Sequence, residues 1–254
     1  MKKLIYAFFM ALGMFTAIPC PYRPWDEDAR PLMILCLPVI GLLIGAIWMG
    51  IGMLGRYLGL PILIMAAIMV ILPHLLTGFI HLDGYMDVSD AVLSRRSAEE
   101  RRRILKDPHV GSFAVIMVCA LFLMSYGVFA SASDKTDLKI LLFVPAVVRA
   151  CAGLAIAVLK PLETSQYSGS YREKVKTANM IVPCVFLAIF AAGSYLFCDA
   201  AGVISCVAAV VGYWLSVLWG YRDLSGMSGD ISGFGLVVGE LCGVAAMVLT
   251  GGLL

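Results

Sequence analysis

The sequence predicts an all-α fold, a polytopic membrane bundle with about seven transmembrane helices. Hydrophobic residues make up 61% of the 254 residues, and charged residues only 14%, against about 25% in soluble domains. Seven stretches are apolar over roughly the 20 residues that a span needs. Because no segment between them is large enough to fold in water, residues 1–254 are expected to form one membrane-embedded domain. The net charge of +2 gives no reason to expect a nucleic-acid partner.

The individual spans follow from the apolar runs. The last run is apolar except for Glu240, and the first run, 4–18, is shorter than the others. We expect the segment 4–18 to lie in the membrane interface, to re-enter the bilayer or to form an eighth span. The seven predicted spans are 31–54, 61–80, 112–131, 140–159, 180–198, 200–220 and 233–254. The polar loops between them are 19–30, 81–111, 160–179 and 221–232.

Positive charges predict the orientation. If 31–54 and 61–80 form a hairpin, all four polar loops fall on one side of the membrane. These loops hold thirteen Lys and Arg residues, whereas the opposite side holds only Arg56, Lys135 and Lys139. Cytoplasmic loops carry the excess of Lys and Arg. The polar loops are therefore expected in the cytoplasm.

The most charged segment, 81–111, indicates a cation site. It contains 12 of the 36 charged residues, including Asp83, Asp87 and Asp90. On a helix these three aspartates lie within an arc of about 60°. Carboxylates so close repel each other unless a cation lies between them or some are protonated. A solvated juxtamembrane helix is the alternative, but it does not explain aspartates with no basic residue nearby in sequence. The pattern favours Mg²⁺, which prefers oxygen ligands, and Asp107 is a fourth candidate ligand.

A second feature is the glycine-rich segment 224–240, which also contains Asp230 and Glu240. A glycine-rich turn that opens a helix can bind an anion through its backbone N–H groups. An ionisable residue inside a span, such as Glu240, indicates function. Close packing between spans is the alternative interpretation. The glycines of this segment are Gly226, Gly229, Gly233, Gly235 and Gly239.

Arg149 is the third feature, since it is the only charged residue within the span 140–159. An unpaired Arg in lipid is costly. We therefore expect it to face Glu240, the aspartates or a bound phosphate. The alternative, an Arg that snorkels to the interface, is less favoured because ten apolar or small residues separate it from Lys160.

Together these segments resemble one family, the cobalamin (cobamide) synthases, which are adenosylcobinamide-GDP ribazoletransferases. The resemblance runs from about residue 5 to the end of the chain. It rests on "GFIHLDGYMDVSDA", "ILKDPHVGSFAV" and "SGMSGDISGFGLVVGE". The first block is the most specific. Departures from the family's pattern, such as Ala91 and Lys106, leave every carboxylate in place.

The resemblance implies a Mg²⁺-dependent phosphotransferase in the bacterial cytoplasmic (inner) membrane. A hydroxyl of α-ribazole, or of its 5′-phosphate, attacks the phosphate attached to cobinamide in adenosylcobinamide-GDP, and GMP leaves. The substrates and the lipid bilayer are the implied partners, and a homo-oligomer is left open. The implied metal ligands are Asp83, Asp87, Asp90 and Asp230. The implied catalytic residues are Asp90, Asp107 and Arg149, with Asp90 or Asp107 as the base. The implied substrate-binding residues are His81, Gly84, Gly111, Gly229 and Glu240.

Two other classes of protein stay open at this point. CDP-alcohol phosphatidyltransferases also place aspartates at helical spacing near a membrane, but their pattern has an Ala-Arg pair that is missing after Asp83-Gly84. An ion-coupled transporter could line a path with Asp83, Asp87, Arg149 and Glu240. Such paths usually have their charged residues near the bilayer midplane, whereas the acidic residues here crowd one membrane face.

Overall fold

A computed structural model describes residues 2–162 and 178–253. Within these residues the chain forms nine α-helices and no strand beyond one isolated bridge, so the all-α prediction is confirmed. The predicted loop 160–179 lies mostly outside the described residues. The helices are α1 (Lys2–Phe15), α2 (Met33–Tyr57), α3 (Ile62–Leu76), α4 (Ile80–Leu93), α5 (Ala98–Ile104), α6 (Ser112–Ala130), α7 (Ile140–Val158), α8 (Ala178–Leu224) and α9 (Gly229–Leu253).

By length and composition, five of the described helices can cross a membrane. If the bent pair of α3 and α4 is counted as one span, the number of candidate spans is six. One of the five, α8, has 47 residues and a non-helical residue, Asp199, at φ 53° and ψ −151°. A Cβ atom on Gly202 would overlap the carbonyl oxygen of Ser194. In a straight helix these residues would lie about 12 Å apart, so the chain reverses at Asp199. Counted as two spans, α8 brings the described helices to the seven that the sequence predicts.

The predicted span 61–80 is wrong at its end. Helix α3 stops at Leu76, and α4 begins at Ile80 at an angle of 94° to it. Gly78 and Phe79 have φ values of 60° and 63°, a left-handed conformation that ends a helix. Hydrophobicity could not reveal this break because the residues around it are apolar.

The first part of the segment 81–111 is a helix, as the spacing of its aspartates predicts. Its first residues form α4, whose inner face is buried against α6 and α9. The aspartates therefore lie on a helix that is packed within the bundle and not on a solvated juxtamembrane segment. This inner face consists of Leu82, Gly84, Tyr85, Val88, Ser89, Ala91 and Val92.

Helix α9 begins at Gly229, four residues before the predicted span 233–254. The Ser228 hydroxyl accepts a hydrogen bond from the N–H of Ile231 at 3.3 Å, as an N-cap residue does. The predicted loop 221–232 is therefore shortened to the few residues between α8 and α9. Glu240 consequently lies about 16 Å along the helix, not the roughly 10 Å that a start near Gly233 implies.

Helix α1 is too short to form an eighth span. Its 14 residues extend about 21 Å, against about 30 Å of hydrocarbon. One face packs on α2, where Ala7, Met10 and Ala11 form a small core with Ile40 and Ile44. An interfacial or re-entrant position remains for this helix.

Helix α7 is the central element and carries Arg149 into the core. It is buried along most of its length and contacts α2, α8 and α9. Gly41 and Gly45 of α2 allow the two backbones to touch, because a Cβ atom on Gly45 would lie 2.6 Å from the carbonyl oxygen of Leu141. This close packing fixes the position of Arg149 in the bundle.

The short helix α5 docks on the end of α8. Its N-terminus has a capping box between Ser97 and Glu100. Arg101 forms a 2.9 Å salt bridge with Asp223, and Arg102 donates to the carbonyl oxygen of Leu224 at 3.4 Å. Two arginines therefore lie at the carbonyl end of α8, where cations are favoured.

Candidate active site

The site begins at the crossing of α4 and α9. A Cβ atom on Gly84 would lie 2.9 Å from Cα of Asp230, and one on Gly233 would lie 3.2 Å from the carbonyl oxygen of His81. The glycines of segment 224–240 had two interpretations, an anion-binding turn and close packing between spans. Close packing is correct for Gly233, and Gly84 of α4 is packed in the same way. The predicted role of Gly84 in substrate binding stays a prediction. This packing brings Asp230 next to the aspartates of α4.

Four aspartates lie near this crossing, and we call Asp83, Asp87, Asp90 and Asp230 the acidic cluster. Asp83 is exposed and the other three are half-buried. The charges of Asp83, Asp230 and Asp90 all act on Asp87. The four aspartates thus come from two helices, and their role as metal ligands stays a prediction.

The acidic cluster is not a complete cage for a metal ion. Within residues 2–162 and 178–253, no three His, Cys, Asp or Glu side chains are close enough together to hold one. Mg²⁺ is usually bound by one or two carboxylates, with phosphate oxygens and water completing its shell. The donor chemistry of the cluster fits such an ion, and magnesium binding stays a prediction.

Gly111 and Asp107 belong to the same loop but have different surroundings. A Cβ atom on Gly111 would overlap the carboxylate of Asp90, so glycine lets this loop approach the acidic cluster. Asp107 is exposed, and its carboxylate accepts hydrogen bonds from the N–H of His109 at 3.0 Å and from the His109 ring at 2.7 Å. These bonds lower the pKa of Asp107, the backbone bond most strongly. The described contacts of its carboxylate are thus with His109, and its predicted catalytic role stays a prediction.

A cavity of about 120 Å³ lies beside the acidic cluster, and we call it the anion cavity. Arg149 and His81 both line it, and each has a buried ring or guanidinium nitrogen, Nε of Arg149 and Nε2 of His81, with no hydrogen-bond partner in the described part of the chain. Buried polar groups normally have partners, and the described part of the chain supplies none for these two nitrogens. The other residues of the wall include Phe15, Ile80, Gly229, Asp230, Ser232 and Gly233.

Arg149 is paired with Glu240, one of the three partners that the sequence allowed. Its Nη1 donates to Oε1 of Glu240 at 2.7 Å and to the carbonyl oxygen of Pro145 at 3.1 Å. Only 2% of the Arg149 side chain and 10% of the Glu240 side chain are exposed. The snorkelling alternative is therefore wrong. Arg149 lines the anion cavity, whereas Glu240 is not among the residues of its wall.

The start of α9 is held in place by backbone contacts. The N–H of Met227 donates to the carbonyl oxygen of Lys160 at 2.8 Å, and the N–H of Leu162 donates to that of Met227 at 2.9 Å. Gly229 follows at the helix N-terminus and lines the anion cavity, and its predicted role in binding an anion stays a prediction. The end of α7 and the start of α9 are thereby joined at the cavity.

Sequence reasoning missed two residues here. Phe15 lies at the end of α1, and its ring stacks on that of His81 with centroids 6.4 Å apart. Ser228 both caps α9 and donates to Oδ2 of Asp230 at 3.3 Å. The phenylalanine-rich N-terminal run and the Ser-Gly-Asp sequence were the available signals, but neither specifies a contact.

The fold and the site define a class, a helical membrane protein with a buried Arg–Glu pair, an acidic cluster and a polar cavity at one end of the bundle. The model of the cobalamin-5-phosphate synthase family matches residues 7–248. The chain belongs to this family.

Relatives extend over the same length. The chain is 37% identical to the adenosylcobinamide-GDP ribazoletransferase of Clostridium botulinum (strain Alaska E43 / Type E3), over 98% of this chain and 99% of that protein. It is 36% identical to the protein of that name from Clostridium perfringens (strain 13 / Type A), over 96% of this chain and 98% of that protein. A Brevibacillus brevis protein of the same name is 29% identical over 96% and 98%. No solved structure matches the chain.

Proposed function

We propose that the chain is an adenosylcobinamide-GDP ribazoletransferase, the enzyme of the last assembly step of cobalamin. The observation that carries this proposal is family membership over residues 7–248, together with full-length relatives of that name. The reaction transfers the cobinamide phosphate to a hydroxyl of α-ribazole or its 5′-phosphate, and GMP leaves.

The anion cavity suits the phosphates of this substrate. Phosphoryl transfer depends mostly on positioning and on stabilisation of charge. Arg149 is held by Glu240 and lines the cavity, where it would stabilise negative charge on the transferred group. His81 would donate from Nε2 to a phosphate oxygen if its ring carries a proton there.

We further propose that the enzyme depends on Mg²⁺, which the acidic cluster would hold together with the diphosphate. The ion would neutralise phosphate charge and the leaving group. The charges of Asp83, Asp230 and Asp90 act on Asp87, and this repulsion supports the proposal because a cation would relieve it. A carboxylate of Asp90 or Asp107 would take the proton from the attacking hydroxyl.

An assay with purified protein tests the function. Adenosylcobinamide-GDP, α-ribazole and Mg²⁺ are supplied, and GMP release is measured. GMP release is the expected result. If CMP were released from CDP-diacylglycerol instead, the lipid-enzyme alternative would be correct. Ion flux in liposomes without nucleotide turnover would select the transporter.

Two substitutions then test the acidic cluster. Asp83→Asn and Asp87→Asn remove one charge each but keep the shape of the side chain, so we expect each to abolish GMP release while the protein still inserts into the membrane. Asp134→Asn, which changes an aspartate outside the cluster, is the matched control and keeps activity. If both cluster variants stay active, the metal site is not at this position.

We also propose that the site faces the cytoplasm across a bacterial inner membrane. The polar loops carry thirteen Lys and Arg residues, whereas the opposite side of the membrane carries three, and this excess supports a cytoplasmic position. In a variant whose eight cysteines are replaced by serine, Lys106→Cys should react with an impermeant maleimide only after cells are opened, and Lys135→Cys in intact spheroplasts. The reverse labelling would place the site outside.

A further inference from the structure

A second cavity lies beside Glu240. Its volume is about 30 Å³, and Glu240, His74 and Ser125 line it together with apolar residues. Of these two cavities, Arg149 lines the anion cavity and Glu240 lines the smaller one. The ion pair therefore forms part of the wall between the two cavities. We call the smaller one the inner cavity.

Three polar side chains from three different helices converge on the inner cavity. His74 belongs to α3, Ser125 to α6 and Glu240 to α9. His74 and Glu240 are each 8% exposed, and their charges are close enough to interact. Polar side chains inside a membrane bundle are costly unless they have partners, so their convergence on one small space needs a physical reason.

None of the three has all of its polar atoms satisfied by the described protein. The Ser125 hydroxyl, the His74 ring nitrogens and Oε2 of Glu240 have no hydrogen-bond partner within residues 2–162 and 178–253. A cavity holds an ordered water when it offers about 10–15 Å³ and two to four polar partners. The inner cavity satisfies both conditions.

We propose that His74 and Ser125 are positioning residues, which hold the free oxygen of Glu240 through ordered water in the inner cavity. This inference rests on the proposed function, since the role of the network is to orient Arg149. Oε1 of Glu240 bonds Nη1 of Arg149, so a fixed carboxylate fixes the guanidinium on the other side. His74 does not line the anion cavity, so it acts on a substrate indirectly.

The inference predicts a specific kinetic signature. Arg149 acts on charge that develops during transfer, so loosening it lowers kcat while KM for adenosylcobinamide-GDP stays nearly constant. We expect His74→Leu to lower kcat about tenfold, as is typical when a supporting hydrogen-bond partner is lost. His74→Gln can still donate to and accept from water, and should recover most of kcat. Ser125→Ala should have a smaller effect of the same kind.

The control is Ser205→Ala. Ser205 is a buried serine whose hydroxyl donates to the carbonyl oxygen of Ala201 within α8, and it does not line either cavity. It should leave kcat unchanged. A purely structural role for His74 would make His74→Gln as slow as His74→Leu, and that result would overturn the inference. Wild-type kcat in both His74→Leu and Ser125→Ala would overturn it as well.

A cryo-EM map that resolves ordered water provides a readout independent of turnover. We expect density in the inner cavity within hydrogen-bond distance of His74 and Glu240, and its loss in His74→Leu. A dry cavity would refute the network. If the wild-type protein released no GMP, the proposed function would fail, and this map alone would then decide whether the water network exists.

Discussion

The buried Arg149–Glu240 pair makes the sharpest prediction about stability. Arg149 donates to Glu240 and to the carbonyl oxygen of Pro145. Glu240→Ala removes the first of these two partners and leaves the second. Removing one member of a buried pair costs about 3–5 kcal/mol. Because that carbonyl still accepts one bond, we expect about 3 kcal/mol, which is more than a hundredfold change in the unfolding equilibrium. Screening reduces this little, since only 2% and 10% of the two side chains are exposed.

The assay is reversible unfolding in mixed detergent micelles, followed by the fluorescence of the four tryptophans. The double variant Arg149→Leu with Glu240→Leu removes both charges, and should recover most of the lost stability because apolar replacement of a whole pair is often neutral. Glu99→Ala, at an exposed position, is the control and should cost little. A loss below about 1 kcal/mol in Glu240→Ala, or strict additivity in the double variant, would refute the reasoning.

Three further predictions concern the metal, the helix crossing and α5. Removing divalent cations with EDTA should abolish GMP release, and Mg²⁺ should restore it; undiminished release in EDTA would exclude a metal role. Gly84→Val should lower both stability and turnover, because the new side chain would meet the backbone of Asp230. In the control Gly50→Ala the added methyl group enters open space, so this variant should be tolerated. If both variants were tolerated equally, the close crossing of α4 and α9 would be contradicted. Arg101→Ala should speed hydrogen exchange in α5 by breaking the 2.9 Å bridge to Asp223, and the exposed Arg103→Ala should not.

The predicted ligands could be found from the sequence because helical spacing is a local property. Asp83, Asp87 and Asp90 share a helix face in any packing, and their repulsion already indicates a cation. The position of Asp107 could not be found in this way. It depends on how the loop before α6 folds, and there the local bonds to His109 hold its carboxylate.

The break at Thr77–Phe79 escaped prediction for a different reason. Hydropathy measures transfer from water to lipid, and the residues on both sides of the break are apolar. Two left-handed residues turn the chain by 94°, and this geometry leaves almost no trace in composition. The consequence for the site is large, because the turn packs α4 against α9.

The amino-acid sequence by itself determined the class of fold, the approximate number of spans and the family, since these follow from apolar length, charge distribution and local motifs. Only the tertiary structure decided which polar groups meet. Arg149 and Glu240 are 91 positions apart, and one of three allowed partners was selected by the packing of α7 against α9. Gly239 and Gly243 of α9 let the two helices approach closely, since a Cβ atom on them would lie 2.8 Å from the Val148 side chain and 2.9 Å from the Val144 side chain. Such contacts depend on the shape of two surfaces, which neither surface specifies alone.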